Sequence, residues 1–266
     1  MKKILANGFL WMVLCVMYIP ILIIVVFSFT EAKVLGSWSG FSFNLYANLF
    51  NGHGGAALNS AILNTLIIAF VSGVCATVLG TLASIGLYNM GHKQRRVINL
   101  MNNVPIINPD IITGVSIFLL FVALGISRGM TTVILAHVAF CTPYVVLSVM
   151  PILMKMDPNL YDAALDLGAT PFQALRKVVI PQLKSGMISG FLLAVTLSVD
   201  DFAVTLFNKG SGGLETLSTY IYADARKGGL TPELRPLFAL IFITIILLLL
   251  IYNYRVMKSR RKEVRR

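Results

Sequence analysis

The chain has 266 residues, of which 57% are hydrophobic and only 12% charged, and its mean hydropathy is +0.81. Soluble globular domains carry about 25% charged residues, so this composition excludes an ordinary soluble domain and points to an integral membrane protein. The formal net charge of +11 implies nucleic-acid binding only if the basic residues fail to gather on one side of a membrane.

A helix needs about 20 apolar residues to cross the hydrocarbon core, and six stretches qualify. The first, Phe9–Phe29, follows Met1-Lys2-Lys3. It is too long for a signal-peptide core and no small-residue cleavage site follows, so a retained helix is predicted. Next comes an outer loop from Thr30 to about Ala61 with Trp38, Phe41, Phe43 and Tyr46, residue types suited to a bilayer interface or to a partner surface. The second span, Ile62–Tyr88, carries Ser72, Gly73, Ala76, Gly80, Ala83, Ser84 and Gly86. Small residues at three- and four-residue spacing suit close helix packing. At the start of the third span, Val104–Leu124, Pro105 and Pro109 predict a break or kink. Asp110 then either favours the first turn of the helix that resumes or belongs to a transport path. The fourth span is Thr131–Leu153.

Between the fourth and fifth spans lies the most polar and most punctuated segment, Asp157–Pro181. Asp157 and Pro158 suit a helix start. Gly168 suits the end of that helix, and Thr170-Pro171 repeats the start signal for a second short helix. The fifth span, Gly186–Phe207, holds Asp200 and Asp201. A charge near the centre of a membrane helix costs about 2.5–3.5 kcal/mol on insertion scales. Either this pair caps a break in the helix or meets a basic neighbour, or at least one carboxylate faces a water-filled cavity and attracts a cation. No Lys or Arg lies deep in a span to act as partner. After Gly210-Ser211-Gly212-Gly213, Leu214, Leu217 and Ile221 recur at helical spacing, which predicts a short amphipathic helix near the outer interface. The sixth span is Pro236–Tyr254, and a basic tail follows it.

With the N-terminus inside, the inner segments hold Lys2, Lys3, Lys93, Arg95, Arg96, Lys155, Arg176, Lys177, Lys184, Arg255, Lys258, Arg260, Arg261, Lys262, Arg265 and Arg266. The outer ones hold only Lys33, Arg128, Lys209, Arg226, Lys227 and Arg235. This bias predicts that both termini are cytoplasmic. It accounts for the net charge without nucleic acid, and the tail is placed to touch anionic lipid headgroups. Cys15, Cys75 and Cys141 fall inside spans and read as small buried hydrophobes, while His53, His92 and His137 lack metal-ligand spacing. No phosphate loop, no Gly-rich dinucleotide turn and no Ser/His/Asp arrangement stands out. The chain is therefore expected to be neither an enzyme nor a holder of a metal or cofactor, and any uphill transport draws on an ion gradient or on a partner.

One segment carries a family resemblance. Asp162-Ala163-Ala164, three residues, Gly168, nine residues, Val178, one residue and Ile180-Pro181 resembles the EAA loop of binding-protein-dependent ABC importer permeases. Asp stands for the usual Glu, Val for Ile and Ile for Leu, with the spacing intact. The stretches Asn108–Phe121 and Leu197–Gly210 extend the resemblance to the spermidine/putrescine permease subunits of the PotC type. It implies an all-α, six-helix MetI-like fold with a permease domain at 59–254 and coupling helices at 157–181. Residues 1–58 form an added first helix and outer loop, and 255–266 the tail. The implied partners are a homologous permease subunit, two ATP-binding subunits inside and a polyamine-binding protein outside, in a bacterial plasma membrane. Tyr161, Asp162, Ala163, Ala164, Gly168 and Pro181 would couple to an ATPase. Asp110, Asp200 and Asp201 would line the path of a polycation during alternating access. Two other readings remain open: an ABC permease for a different solute, and a secondary transporter or channel using the aspartates as ion sites.

Overall fold

A computed structural model describes residues 2–32, 36–50, 55–227 and 231–263; Lys33, His53, Arg265 and Arg266 lie outside them, as do the side chains of the tail from Arg255 onward. Among the described residues the chain is helical without strands. In order these are α1 (Lys2–Phe27), α2 (Asn44–Phe50), α3 (Ala56–Tyr88), α4 (His92–Ile107), α5 (Asp110–Ala123), α6 (Met130–Lys155) and α7 (Asn159–Asp166). They continue with α8 (Pro171–Gln182), α9 (Lys184–Asp200), α10 (Ala203–Asn208), α11 (Leu217–Ala225) and α12 (Leu234–Glu263).

Among the described residues three helices are long and apolar enough to cross a membrane: the Asn7–Phe27 part of α1, α3 and α6. The third and fifth predicted spans differ from plain rods. The third, Val104–Leu124, takes in the end of α4 and α5, which meet at 107° around Asn108-Pro109. Asn108 is extended (ψ 137°), as a residue before proline prefers. The fifth, Gly186–Phe207, covers α9, which stops at Asp200, and α10; α8 precedes it at a bend of 68° to α9. The sixth contains a shorter apolar stretch, Leu234–Leu247. The six stretches read from the sequence fall largely on helices; three described helices and two bent pairs, five spans at most, have the length and apolarity to cross. Within the stretch predicted as a short amphipathic helix, Leu217 and Ile221 lie in α11 and Leu214 precedes it.

The chain divides into two compact units, 60–220 and 1–59 with 221–266. In the larger unit α9 packs along α6, and glycine allows the close approach. A Cβ at Gly186 or Gly190 would lie 3.1 Å from α6 atoms. On α3 the predicted small-residue stripe is buried at Ser72, Gly73, Ala76, Gly80 and Ser84, whereas Ala83 and Gly86 are exposed. A Cβ at Gly80 would stand 2.7 Å from Val145 Cβ, closer than packed carbons tolerate. Gly80→Ala is therefore expected to lower the Tm of the purified protein, since overpacking costs about 1–3 kcal/mol. Gly86→Ala, with nothing within 4 Å, is expected to leave Tm unchanged, and equal Tm values for the two variants would refute the close contact. Of the three cysteines only Cys141 is buried; Cys15 and Cys75 lie on exposed helix faces, because apolar spans also present residues outward.

In the smaller unit α12 packs on α1 and α2. Arg235 is fully buried there, and its Nη1 donates to the Ala32 carbonyl at 2.7 Å. The aromatic residues of the first outer loop cluster on one another. Phe29 stacks on Phe41 at 5.4 Å and meets Tyr46 at 5.3 Å, yet Trp38, Phe41 and Phe43 stay more than half exposed. Ser42 and Asn44 donate to Glu31 and hold its carboxyl below the usual carboxylate range.

Candidate functional site

Two places collect the polar residues singled out above. The first is a cavity of about 500 Å³ where the α4–α5 bend meets the break between α9 and α10. It is lined by Pro109, Asp110 and Ile111, by Phe140, and by Leu197 and Asp200 to Ala203. The three aspartates, ninety positions apart in the chain, thus share one cavity, a convergence the sequence did not reveal. Their roles diverge. Asp110 opens α5 and Asp200 closes α9, and both side chains are exposed. Phe140 and Phe202 add aromatic walls, which attract cations through their ring faces.

Asp201 borders the same cavity, but its carboxylate is committed elsewhere. Its side chain is 1% exposed. Oδ1 accepts from Val204 N at 3.1 Å, and Oδ2 accepts from Thr205 N at 2.8 Å and Thr205 Oγ1 at 2.9 Å. It therefore satisfies the free amides at the start of α10 and meets the positive end of that helix. His137 of α6, fully buried, lies 3.3 Å from Oδ2 through Nε2. Asp201 both caps the start of α10 and neighbours His137, whereas Asp200 lines the cavity with its side chain exposed.

His137 is the residue the sequence reading missed. A lone ionisable side chain inside a span was the available signal; the search for a partner considered only Lys and Arg. Ser198 and Thr205, also buried, complete the cluster. Among the described residues no group of three or more His, Cys, Asp or Glu could hold a metal ion.

The second place is the segment 157–181. Asp157 Oδ1 accepts from Asn159 N at 2.9 Å at the start of α7. At the other end Gly168 has φ +85°, its N–H reaches the Leu165 carbonyl at 2.8 Å, and Ala169 N reaches that of Ala164 at 3.0 Å. These two bonds form a Schellman motif, which calls for glycine at the left-handed position. Thr170 and Gln173 then cap α8 reciprocally, at 3.0 and 3.4 Å. Within α8 the helix widens to a π turn at Leu175–Val179. Pro181 explains it, since proline donates no N–H and its ring clashes with the carbonyl four residues back.

The ends of α3 and α6 meet α7 and α8 around a second cavity of about 580 Å³, to which Tyr88, Tyr161, Asp162 and Phe172 contribute. Ala164 is buried, Ala163 and Pro181 are exposed, and Tyr161 and Leu175 pack on the core through Val179 and Leu183. Leu167 and Phe172 are 89% and 68% exposed. Both flank Gly168 on the polar segment, and Phe172 also lines the second cavity.

The family model for the binding-protein-dependent transport system inner membrane component matches residues 76–262. The chain belongs to this family. The permease is 37% identical over 249 residues to the spermidine/putrescine transport system permease protein PotC of Haemophilus influenzae, covering 94% of this chain and 95% of the relative. It is 35% identical to the putrescine transport system permease protein PotI of Escherichia coli, over 94% and 89% of the two chains. Against PotC of Escherichia coli identity is 32%, over 98% and 96%. Among solved structures it is similar to a bacterial ABC transporter involved in the import of alginate (TM-score 0.68, 15% identity, 95% and 94% coverage). It is also similar to the MetNI methionine ABC transporter (TM-score 0.57, 22% identity, 76% and 95% coverage). These structures establish the MetI-like fold. The permease is a multi-pass inner-membrane transport subunit and not an enzyme.

Proposed function

We propose that this permease carries polyamines, spermidine or putrescine, into the cytoplasm as one subunit of an ATP-driven importer. The observation that carries the reading is the cavity at the two helix breaks. Asp110 and Asp200 present carboxylates there beside Phe140 and Phe202, and Asp201 is already paired. Polyamines are polycations at neutral pH, and carboxylates and aromatic faces are the groups that attract them. The names of the relatives in Haemophilus influenzae and Escherichia coli agree with this cargo.

A homologous permease subunit would complete the pathway, two ATP-binding subunits would act from the cytoplasm, and a polyamine-binding protein would deliver from outside. The Asp157–Pro181 segment is the coupling element. Leu167 and Phe172 enter a groove of the ATPase, and the Schellman turn at Gly168 fixes the angle between α7 and α8. ATP binding moves this pair, turns the cavity outward to receive the polyamine, and hydrolysis resets it inward.

The test is uptake by the purified, reconstituted complex. An ATPase subunit is expected to copurify, and labelled putrescine or spermidine is expected to enter only with ATP and to stop with vanadate. Uptake driven by a proton gradient without ATP would overturn the energy source. ATPase activity stimulated by a non-cationic solute and by neither polyamine would overturn the cargo.

A further inference from the structure

Buried beside the cavity is a polar chain that nothing above employs in transport. His137 Nδ1 lies 2.6 Å from Ser198 Oγ of α9, and Nε2 lies 2.9 Å from Thr205 Oγ1 of α10 and 3.3 Å from Asp201 Oδ2. Ser198 Oγ is in turn 3.2 Å from Ser72 Oγ of α3. One imidazole from α6 thus touches the helix on each side of the break in the fifth span, and the chain ends on a third helix. All its side chains are buried, His137 and Thr205 completely.

The direction of the hydrogen bonds follows from their number. The Thr205 hydroxyl has one proton and gives it to Asp201. It can therefore only accept from His137, which assigns a proton to Nε2. The same nitrogen lies 3.3 Å from Asp201 Oδ2, where its N–H partial charge favours the carboxylate. Asp201 in turn holds Val204 N and Thr205 N. His137 therefore anchors the residue that keeps α10 from continuing α9. The backbone at Asp201 is extended (φ −63°, ψ 133°) and that of Phe202 is at φ −115°, ψ −47°. Asp200 immediately precedes this break, so the path of the backbone through 201 and 202 sets where its carboxylate stands in the cavity.

We infer that His137 is a positioning residue for the cation site: by holding Asp201 and Thr205 it fixes the break in the fifth span and thereby aims Asp200 at the substrate. The inference rests on the cavity being that site. His137 itself is fully buried and does not line the cavity. It acts through Asp201 and contributes no direct contact to a bound polyamine. Ser198 orients the ring from the opposite nitrogen.

The test is a double-mutant cycle on labelled putrescine uptake by the complete transporter, with membrane abundance measured for every variant. Asn places its amide near the Nδ1 position and loses the contact to Asp201, whereas Gln reaches the Nε2 position and keeps it. His137→Asn is expected to raise KM about ten-fold, the order of magnitude for a lost hydrogen bond to a buried charge. His137→Gln is expected to stay within about three-fold of the unaltered protein, as a retained donor predicts. Combined with Asp200→Asn, His137→Asn is expected to add nothing further to KM, because residues acting through one another are non-additive. If His137→Asn leaves KM unchanged, or multiplies the KM of Asp200→Asn by its full effect, the positioning role is overturned while the cation site stands. If Asp200→Asn alone has normal KM, the cation site itself falls and this inference falls with it. Should His137→Asn not reach the membrane, Thr205→Val removes the hydroxyl at constant shape. It is expected to raise KM in the same non-additive way, and an additive or absent effect overturns the role equally.

Discussion

Replacing Asp200 by asparagine is expected to raise the KM for putrescine uptake about ten-fold, and Asp110→Asn to act in the same direction. An ammonium ion about 4 Å from a carboxylate gains several kcal/mol at the effective dielectric of a protein surface, and about 1.4 kcal/mol suffices for a factor of ten. Asn keeps the shape and one oxygen, so the charge is the main thing removed. Asp201→Asn is expected to differ in costing stability as well, besides any rise in KM that follows from loosening the break. Its carboxylate caps α10 and faces buried His137. Loss of a cap costs about 0.5–2 kcal/mol, and the variant is expected to show lower Tm and less protein in the membrane. Uptake titrations and thermal melts on the three variants separate these outcomes. A uniform effect on KM, with no difference in stability, would refute the division of labour. Normal uptake by all three would refute the polycation path.

The second large effect is expected at Gly168. Its φ of +85° costs an L-residue about 1–2 kcal/mol, most for a β-branched one. Gly168→Val is expected to open the Schellman turn and change the angle at which α7 and α8 meet the ATPase. The maximal uptake rate is expected to fall at least about ten-fold, the factor that about 1.4 kcal/mol represents, while the KM for polyamine is unchanged. ATPase activity is expected to lose its stimulation by the loaded binding protein. Gly168→Asn, which tolerates the left-handed region better, is expected to lie between. Unaltered maximal rate in the valine variant would show that the angle of this turn does not transmit the ATPase cycle.

How much of this was legible in the sequence follows from the range of the interactions. The turn at Gly168 was readable because every bond in it is made within five residues, and Thr170-Pro171 likewise signals locally. Asp162 to Pro181 is similarly self-contained, so spacing alone carried the family resemblance. The six apolar stretches were visible, but two of them turned out to be broken. Pro109 announced the first break. The second, after Asp200, has no proline or glycine, and its cause is a carboxylate that meets a histidine 64 positions earlier. Pairing at that distance depends on how α6 lies against α9, which is decided by packing of Gly186 and Gly190 and not by any local pattern. The convergence of Asp110 with Asp200 was hidden for the same reason.

The break after Asp200 also bears on how a polyamine is told apart from a simple metal cation. A helix that stops inside the membrane leaves the carbonyls of its final turn without amide partners, a condition tolerated at that depth only where protein or water surrounds them. At the end of α9 one of these, Val199, accepts from Ser218 Oγ at 3.4 Å. Asp200, the last residue of α9, stands at the cavity beside the negative pole of the helix dipole. A carboxylate acceptor answers to N–H directions as well as to charge. A primary ammonium group offers three N–H bonds and a secondary one offers two, whereas sodium or a quaternary ammonium offers none. In the proposed importer, ending the span at Asp200 would thus bring the negative end of a helix and a carboxylate together against a protonated amine.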